Sequence, residues 1–210
     1  WAQNHLPEGA SENTGVTIRR FSVDSRDQSG FAVLNNQLLA LPPTALKSGV
    51  SPVSAEQSAR FAHDNINSQA LLKYLSTYGN RYHAIIFIPY LYGPILNGLP
   101  LSADRAFLQP CLHDEAYAYL PEVATIFHQA RRLLFNSAGE QALATRLYGP
   151  AMSVKGAITG SGIEFDELDS PQPEHLPAAL RDRPFLLYLG RRDSTKNPDL
   201  LVEAYLEFRR

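Results

Sequence analysis

AFLQPCLHDEAYAYLPEVATIFHQARRLLFNSAGEQALATRLYG, residues Ala106 to Gly149, decides the fold. Ala106 to Leu112 is an apolar run interrupted by Gln109 and Pro110, and His113, Asp114 and Glu115 follow it at once. Such a run reads as a buried strand whose end delivers polar groups to a surface. Leu120, Val123, Ala124, Phe127 and Ala130 recur at helical spacing and predict one buried helix face. Pro121 suits the first turn of that helix. Leu133 to Phe135 is the next short strand. Ser137 and Glu140 form an S-x-x-E capping box that starts a second helix. Leu143 and Leu147 line its inner face, and Gly149 with Pro150 ends it.

Strand, helix, strand, helix implies parallel strands joined by right-handed crossovers. The expected fold class is therefore α/β, a Rossmann-like parallel sheet with flanking helices. Ligands of such sheets collect beyond the C-terminal strand ends. His113, Asp114, Glu115 and Ser137 all fall there.

The chain has 210 residues, 44% of them hydrophobic, which is enough for a substantial core. A net charge of -2 gives no electrostatic case for nucleic acid. The single cysteine, Cys111, excludes an internal disulfide framework and fits a reducing compartment. Its place in an apolar run predicts a buried, inert thiol. No stretch approaches the length of a membrane helix.

Outward from the central stretch, Trp1 to Gly15 reads as a loop and Val16 to Val23 as a strand. Phe31, Leu34, Leu38 and Leu41 predict a helix ended by Pro42-Pro43, and Pro43 to Ala55 a surface connection. Leu71, Tyr74, Leu75 and Tyr78 predict another helix with Gly79 as its C-cap. YHAIIFIPY, Tyr82 to Tyr90, is apolar on both faces, as a central parallel strand should be. Leu91 to Asp104 reads as a segment that wraps over the strand ends. Met152 to Thr159 predicts a further strand, running into Gly160-Ser161-Gly162. Residues 161–184 read as a linker, rich in acids and prolines. Phe185 to Leu189 (FLLYL) then begins a second strand–helix series, with Asn197 as the cap and Pro198 in the first turn of a helix whose inner face is Leu201, Ala204, Tyr205 and Phe208.

Three groups carry chemistry. His113 at a strand end can orient a hydroxyl or shuttle a proton, with Asp114, Glu115 and Ser137 beside it in the cleft. The bland alternative is a loop histidine with two solvated acids and a helix cap. Gly190 to Asn197 (GRRDSTKN) puts cations at a helix N-terminus, where backbone amides and the helix dipole favour an anion. A diphosphate is its natural guest, and a solvated basic turn is the plain alternative. Gly160-Ser161-Gly162 reads as a phosphate-contacting loop or as a hinge. His-Asp occurs twice, at His63-Asp64 and His113-Asp114. Such pairs also occur in metal phosphohydrolases of an all-helical fold. Here no third or fourth ligand falls at convincing spacing, so no metal site is expected.

Taken in order, Leu112–Glu115, Leu133–Gly149, Ala157–Glu164 and Phe185–Tyr205 resemble the retaining glycosyltransferases of family 4. FLLYLGRRDSTKNPDLLVEAY is the most specific segment. The resemblance implies the GT-B arrangement of two Rossmann-like domains. Residues 1–160 would be most of the acceptor-side domain, 161–184 the linker, and 185–210 the first strand–helix unit of the donor-side domain. It implies that a glycine-rich loop precedes Trp1 and an E-x7-E motif follows Arg210. It implies that Arg191 and Lys196 hold the donor diphosphate without a metal or other cofactor, while His113 lines the cleft near the transferred sugar. Asp114, Glu115, Ser137, Gly160 and Gly162 would line the same cleft. The donor would be a nucleotide-diphosphate sugar, and the acceptor a glycan or lipid-linked molecule in polysaccharide assembly. The place would be the cytoplasm or the inner face of the membrane, with peripheral membrane contact through the acceptor. The competing classes are a nucleotide-sugar binding module and a GT-B-shaped epimerase. Finally, the apolar unit 185–210 is expected to dock on residues 1–160 or on a second copy, giving a homodimer by exchange.

Overall fold

A computed structural model describes residues 4–160, 162, 176–181, 184–192 and 196–210. The chain divides into two compact units, Trp1–Ser161 and Gly162–Arg210.

The first unit is α/β. Its centre is a four-stranded parallel sheet of β3 (Ile85–Phe87), β4 (Ala106–Leu108), β5 (Arg132–Phe135) and β6 (Gly156–Ile158), in the spatial order β3-β4-β5-β6. Spatial order follows chain order, so every crossover steps the same way and right-handed connections leave their helices on one face. Those connections hold α4 (Gly93–Gly98), α5 (Pro121–Gln129), α6 (Ala138–Tyr148) and α7 (Ala151–Lys155). Phe87, Ala106, Leu108, Leu133 and Phe135 point into the core and are buried, joined there by Val123, Ile126 and Phe127 of α5. A fully buried side chain of this size contributes about 1.5–3 kcal/mol.

Three more helices thicken this layer: α1 (Gln28–Leu39), α2 (Ala55–Asp64) and α3 (Gln69–Tyr78). α2 packs on α5 and α4, α3 on α4, and α1 on α2. Phe61 of α2 lies between Phe31 and Tyr117, with ring centroids 5.3 and 5.4 Å away.

The opposite face of the sheet is apolar and open. Ile86 is 57% exposed, Phe107 and Leu134 are half-buried, and Ala157 is exposed. This corrects the sequence reading of Tyr82–Tyr90 as a central strand. Only Ile85–Phe87 pairs, and among the described residues it pairs with β4 alone, at the edge of the sheet. The run is apolar on both faces, as expected, yet among the described residues helices cover only one of them. Its ladder stops where Pro89, which has no N–H, follows.

Other differences have local causes. Val16–Val23 holds a strand, β2 (Val16–Arg20), but it pairs antiparallel with β1 (Gly9–Asn13), inside the segment read as a loop. Thr14 and Gly15, at φ 49° and 80°, make the left-handed turn that matches hairpin twist. Met152–Lys155 is helical, with Met152 buried, so the predicted strand shortens to β6. α2 was not anticipated, although Ser54 and Gln57 form a complete capping box at its start. Gly79 ends α3 in a right-handed conformation and leads into a short 3-10 turn.

In the second unit, α8 (Pro198–Phe208) matches the predicted helix. Asn197 precedes it at φ 48° and its side chain makes no capping hydrogen bond, contrary to the expected cap. Phe185–Leu189 belongs to no sheet among the described residues, which corrects the predicted strand. A strand exists only through a neighbour's backbone, and propensity cannot replace that neighbour. Most of the predicted linker lies outside the described residues.

Gly156 marks the tightest point of the sheet. A Cβ there would lie 2.4 Å from Cε2 of Phe135 and 2.6 Å from the Met152 carbonyl oxygen. Gly156→Ala is therefore expected to lower the unfolding free energy by about 1–3 kcal/mol, the cost of overpacking. Chemical denaturation measures this, and an unchanged midpoint would contradict the packing described.

Candidate functional site at the strand ends

All four parallel strands end on one rim, and the loops leaving them are tied together. Gln109 N donates to the Phe87 carbonyl at 2.9 Å, and Tyr90 N to the Pro110 carbonyl at 3.0 Å. These bonds hold the loop after β3 to the loop after β4. The Tyr90 hydroxyl donates to Glu115 Oε1 at 2.7 Å. Burial, then the negative charge of Glu115, push the Tyr90 phenol far above its ordinary value, so it stays a donor. At the other side, Thr159 N donates to the Phe135 carbonyl at 2.8 Å, joining the end of β6 to β5.

Glu140 makes the central tie. Ser137 Oγ accepts from Glu140 N at 3.1 Å, as the predicted helix cap requires. The reciprocal half differs from the expected capping box. Glu140 Oε2 accepts from Asn136 N at 2.6 Å, and Oε1 accepts from Leu112 N at 2.7 Å. One buried carboxylate thus fixes the β5 exit and the β4 exit to the start of α6. Gln109 Nε2 donates to Asn136 Oδ1 at 2.9 Å across the same junction. Asn136 Nδ2 reaches Cys111 Sγ at 3.5 Å. Cys111 is half-buried, at φ 53°, rather than fully buried as expected, because the chain turns sharply there.

Each predicted residue of this region takes a distinct place. His113 is exposed, and its imidazole makes no hydrogen bond with the described residues. Asp114 accepts from the Tyr119 hydroxyl at 2.7 Å and from Arg146 Nη2 at 2.6 Å. Both partners of that ion pair are about half exposed, so it positions the loop more than it stabilises the fold. Glu115 is engaged by Tyr90. Gly160, at φ 69°, turns the chain out of β6. Gly162 is exposed, and Ser161 lies outside the described residues. In the second unit, Arg191 and Lys196 are exposed just before α8.

A second polar cluster was noted in the sequence only as a dipeptide. His63 Nδ1 lies 2.8 Å from Asp64 Oδ1, and Arg60 Nε donates to Asp64 Oδ2 at 2.9 Å. Arg60 Nη2 continues to Asp27 Oδ2 at 2.8 Å. The pair borders a cleft of about 870 Å3 lined also by Asp24, Asn67, Gln69, Ala62 and Leu72. The hydrogen bond from His63, then that from Arg60, hold the Asp64 carboxyl below its ordinary range. His63-Asp64 and His113-Asp114 do not converge: no group of three or more His, Cys, Asp or Glu able to hold a metal occurs among the described residues. With a parallel sheet where an all-helical fold was required, the phosphohydrolase reading loses its basis.

No family model, curated protein or solved structure matches this chain.

Glu140→Ala leaves the N–H groups of Leu112 and Asn136 without their acceptor. Each such loss costs about 1–3 kcal/mol, whereas losing the Ser137 cap costs about 1 kcal/mol. Denaturation is expected to rank Glu140→Ala well below Ser137→Ala in stability; equal losses would contradict the bridging role. Asp64, whose folded pKa is depressed, contributes stability that is present above its ordinary value of 3.8 and fades as pH falls below it. Asp64→Asn is expected to flatten that acid limb in unfolding measurements taken downward from neutral pH. An unaltered slope would contradict the assignment.

Proposed function

We propose that this chain acts in glycosyl transfer from a nucleotide-diphosphate sugar to a glycan or lipid-linked acceptor, with retention at the transferred sugar. The observation that carries the reading is the strand-end rim. A parallel sheet delivers His113, Asp114, Glu115, Ser137 and Gly160 to one edge, the place where such sheets bind ligands. Around them the loops are pinned by Glu140 and Tyr90, while the His113 imidazole is exposed and makes no hydrogen bond with the described residues. Loops pinned in this way can hold a few polar groups in fixed positions, which is what orients a ligand. The ordered likeness of Leu112–Glu115, Leu133–Gly149 and Phe185–Tyr205 to family 4 glycosyltransferases names the chemistry.

In this reading His113 donates to or accepts from a hydroxyl of the transferred sugar. Lys196 lies two residues before α8, where backbone amides and the helix dipole would add to its charge, and Arg191 precedes it in sequence. They hold the diphosphate and offset the negative charge that builds on it as the glycosidic bond breaks. The compensation comes from side chains, so the reading needs no metal. Contact with a membrane arises only through a lipid-linked acceptor; among the described residues no helix is long and apolar enough to cross a bilayer.

Two substitutions test the division of labour. Lys196→Ala is expected to weaken nucleoside-diphosphate binding by about 1.5–3 kcal/mol, the worth of a charge-assisted hydrogen bond, which calorimetry reads directly. His113→Ala is expected to lower turnover of nucleotide sugar while leaving stability within about 0.5 kcal/mol. Unchanged diphosphate affinity in the first variant, or full turnover in the second, contradicts the role given to that residue. Binding without any transfer in the unaltered protein would leave a nucleotide-sugar binding module instead.

A further inference from the structure

We infer that the open side of the sheet is a docking surface for a second copy of this chain, which contributes its Phe185–Leu189 segment and α8. Two vacancies and two unmatched elements carry the inference, and it does not need the transfer reading.

The first vacancy is the edge of β3. Phe87 takes its hydrogen bond from Gln109, beyond the end of β4. Ile86, one residue back, therefore turns its own N–H and C=O to the free edge. No strand pairs there among the described residues. Natural edges are defended by charge, by proline or by being very short; Ile85-Ile86-Phe87 carries no charge and no proline, and shortness is its one defence. A groove of about 500 Å3 borders it, lined by Thr17 and Arg19 of β2, Leu71 and Leu75 of α3, and Ile85 and Ile86. The second vacancy is the open face of the sheet, formed by Ile86, Phe107, Leu134 and Ala157.

The first unmatched element is Phe185–Leu189. It has five consecutive apolar residues, between 36% and 92% exposed, and lies in no sheet. It is apolar on both sides, as a strand in a parallel sheet must be. The second is α8, an amphipathic helix with no buried residue, whose Leu201, Tyr205 and Phe208 form a bare stripe. Exposed apolar surface on this scale marks an interaction site. A strand followed by a helix is also the unit that a parallel sheet adds: the strand extends the edge and the helix returns over one face. The face left open is the one that α4 to α7 do not occupy. A second copy supplies both pieces at once. Two-fold symmetry lets each chain give and receive, so the exchange closes as a dimer. Parallel addition also sets the incoming Arg191 turn at the strand-end rim, beside the loops after β3 and β4.

Light scattering of the 210-residue chain over a range of concentrations tests the inference. The expected mass is that of two chains, dissociating to one on dilution. Leu187→Asp alters a residue that is 77% exposed, so helix content by circular dichroism should not change, while the mass falls to that of one chain. Val33→Asp, on the exposed side of α1, should leave the dimer intact. Hydrogen exchange adds a local reading: the Ile86 amide should be protected in the dimer and exchange freely in Leu187→Asp. A one-chain mass at every concentration overturns the inference. So does a dimer that survives Leu187→Asp, or one whose Ile86 amide remains unprotected.

Discussion

The Glu140 carboxylate, accepting from Leu112 N and Asn136 N at 2.7 and 2.6 Å, holds the strand-end surface in place. A parallel sheet does not by itself fix the loops beyond its strands, because the ladder stops there. Here β4 ends at Leu108 and β5 at Phe135, and the chain turns away at Pro110 and Asn136. Without an acceptor, Leu112 N would be a buried donor with no partner, which folded proteins rarely tolerate. Glu140 satisfies it from the first turn of α6, where the helix dipole also favours a negative charge. The same contact sets where His113, Asp114 and Glu115 leave the core. Site geometry and fold stability therefore share one side chain.

The sheet explains why the strand exits gather at one end. Its strands run in parallel and in chain order, so four exits share a rim and all crossing helices share a face. One consequence is a polar edge where the His113 imidazole makes no hydrogen bond with the described residues. The other is an apolar face and an unpaired edge that the described part of the chain leaves bare. The proposed site and the inferred docking surface thus draw on the same topological choice. The His63-Asp64 pair lies apart, on the helical layer, where its bonds to Arg60 and on to Asp27 bind α1 to α2. Its well-satisfied carboxylate makes it first of all a structural joint.

Much of this was legible in the sequence where the signal was local. The periodicity of Leu120 to Phe127, the Ser137 cap and the Gly149 stop place α5 and α6 within a residue or two. The strand-end position of His113 to Glu115 follows from an apolar run meeting three polar residues. What escaped depended on partners distant in sequence. Glu140 looked like half of a capping box, and only the fold brings Leu112 N to its second oxygen. Tyr82–Tyr90 reads the same whether a second layer covers it or not, so its edge position was invisible. FLLYL has strand propensity, yet no neighbour among the described residues completes a ladder with it. The β1–β2 hairpin hid because its strands are exposed and carry little apolar alternation; the Thr14-Gly15 turn was its one cue.

The claim on which the functional account rests is that the rim built by β3 to β6 receives a sugar nucleotide. Titrating the isotope-labelled chain with uridine, guanosine and adenosine diphosphate sugars, while following backbone amides by NMR, tests this most directly. The account predicts that at least one of them shifts the amides of His113, Asp114, Glu115, Ser137 and Gly160 together, in a saturable way. Shifts confined to the His63–Asn67 cleft, or none with any of the three, would contradict it.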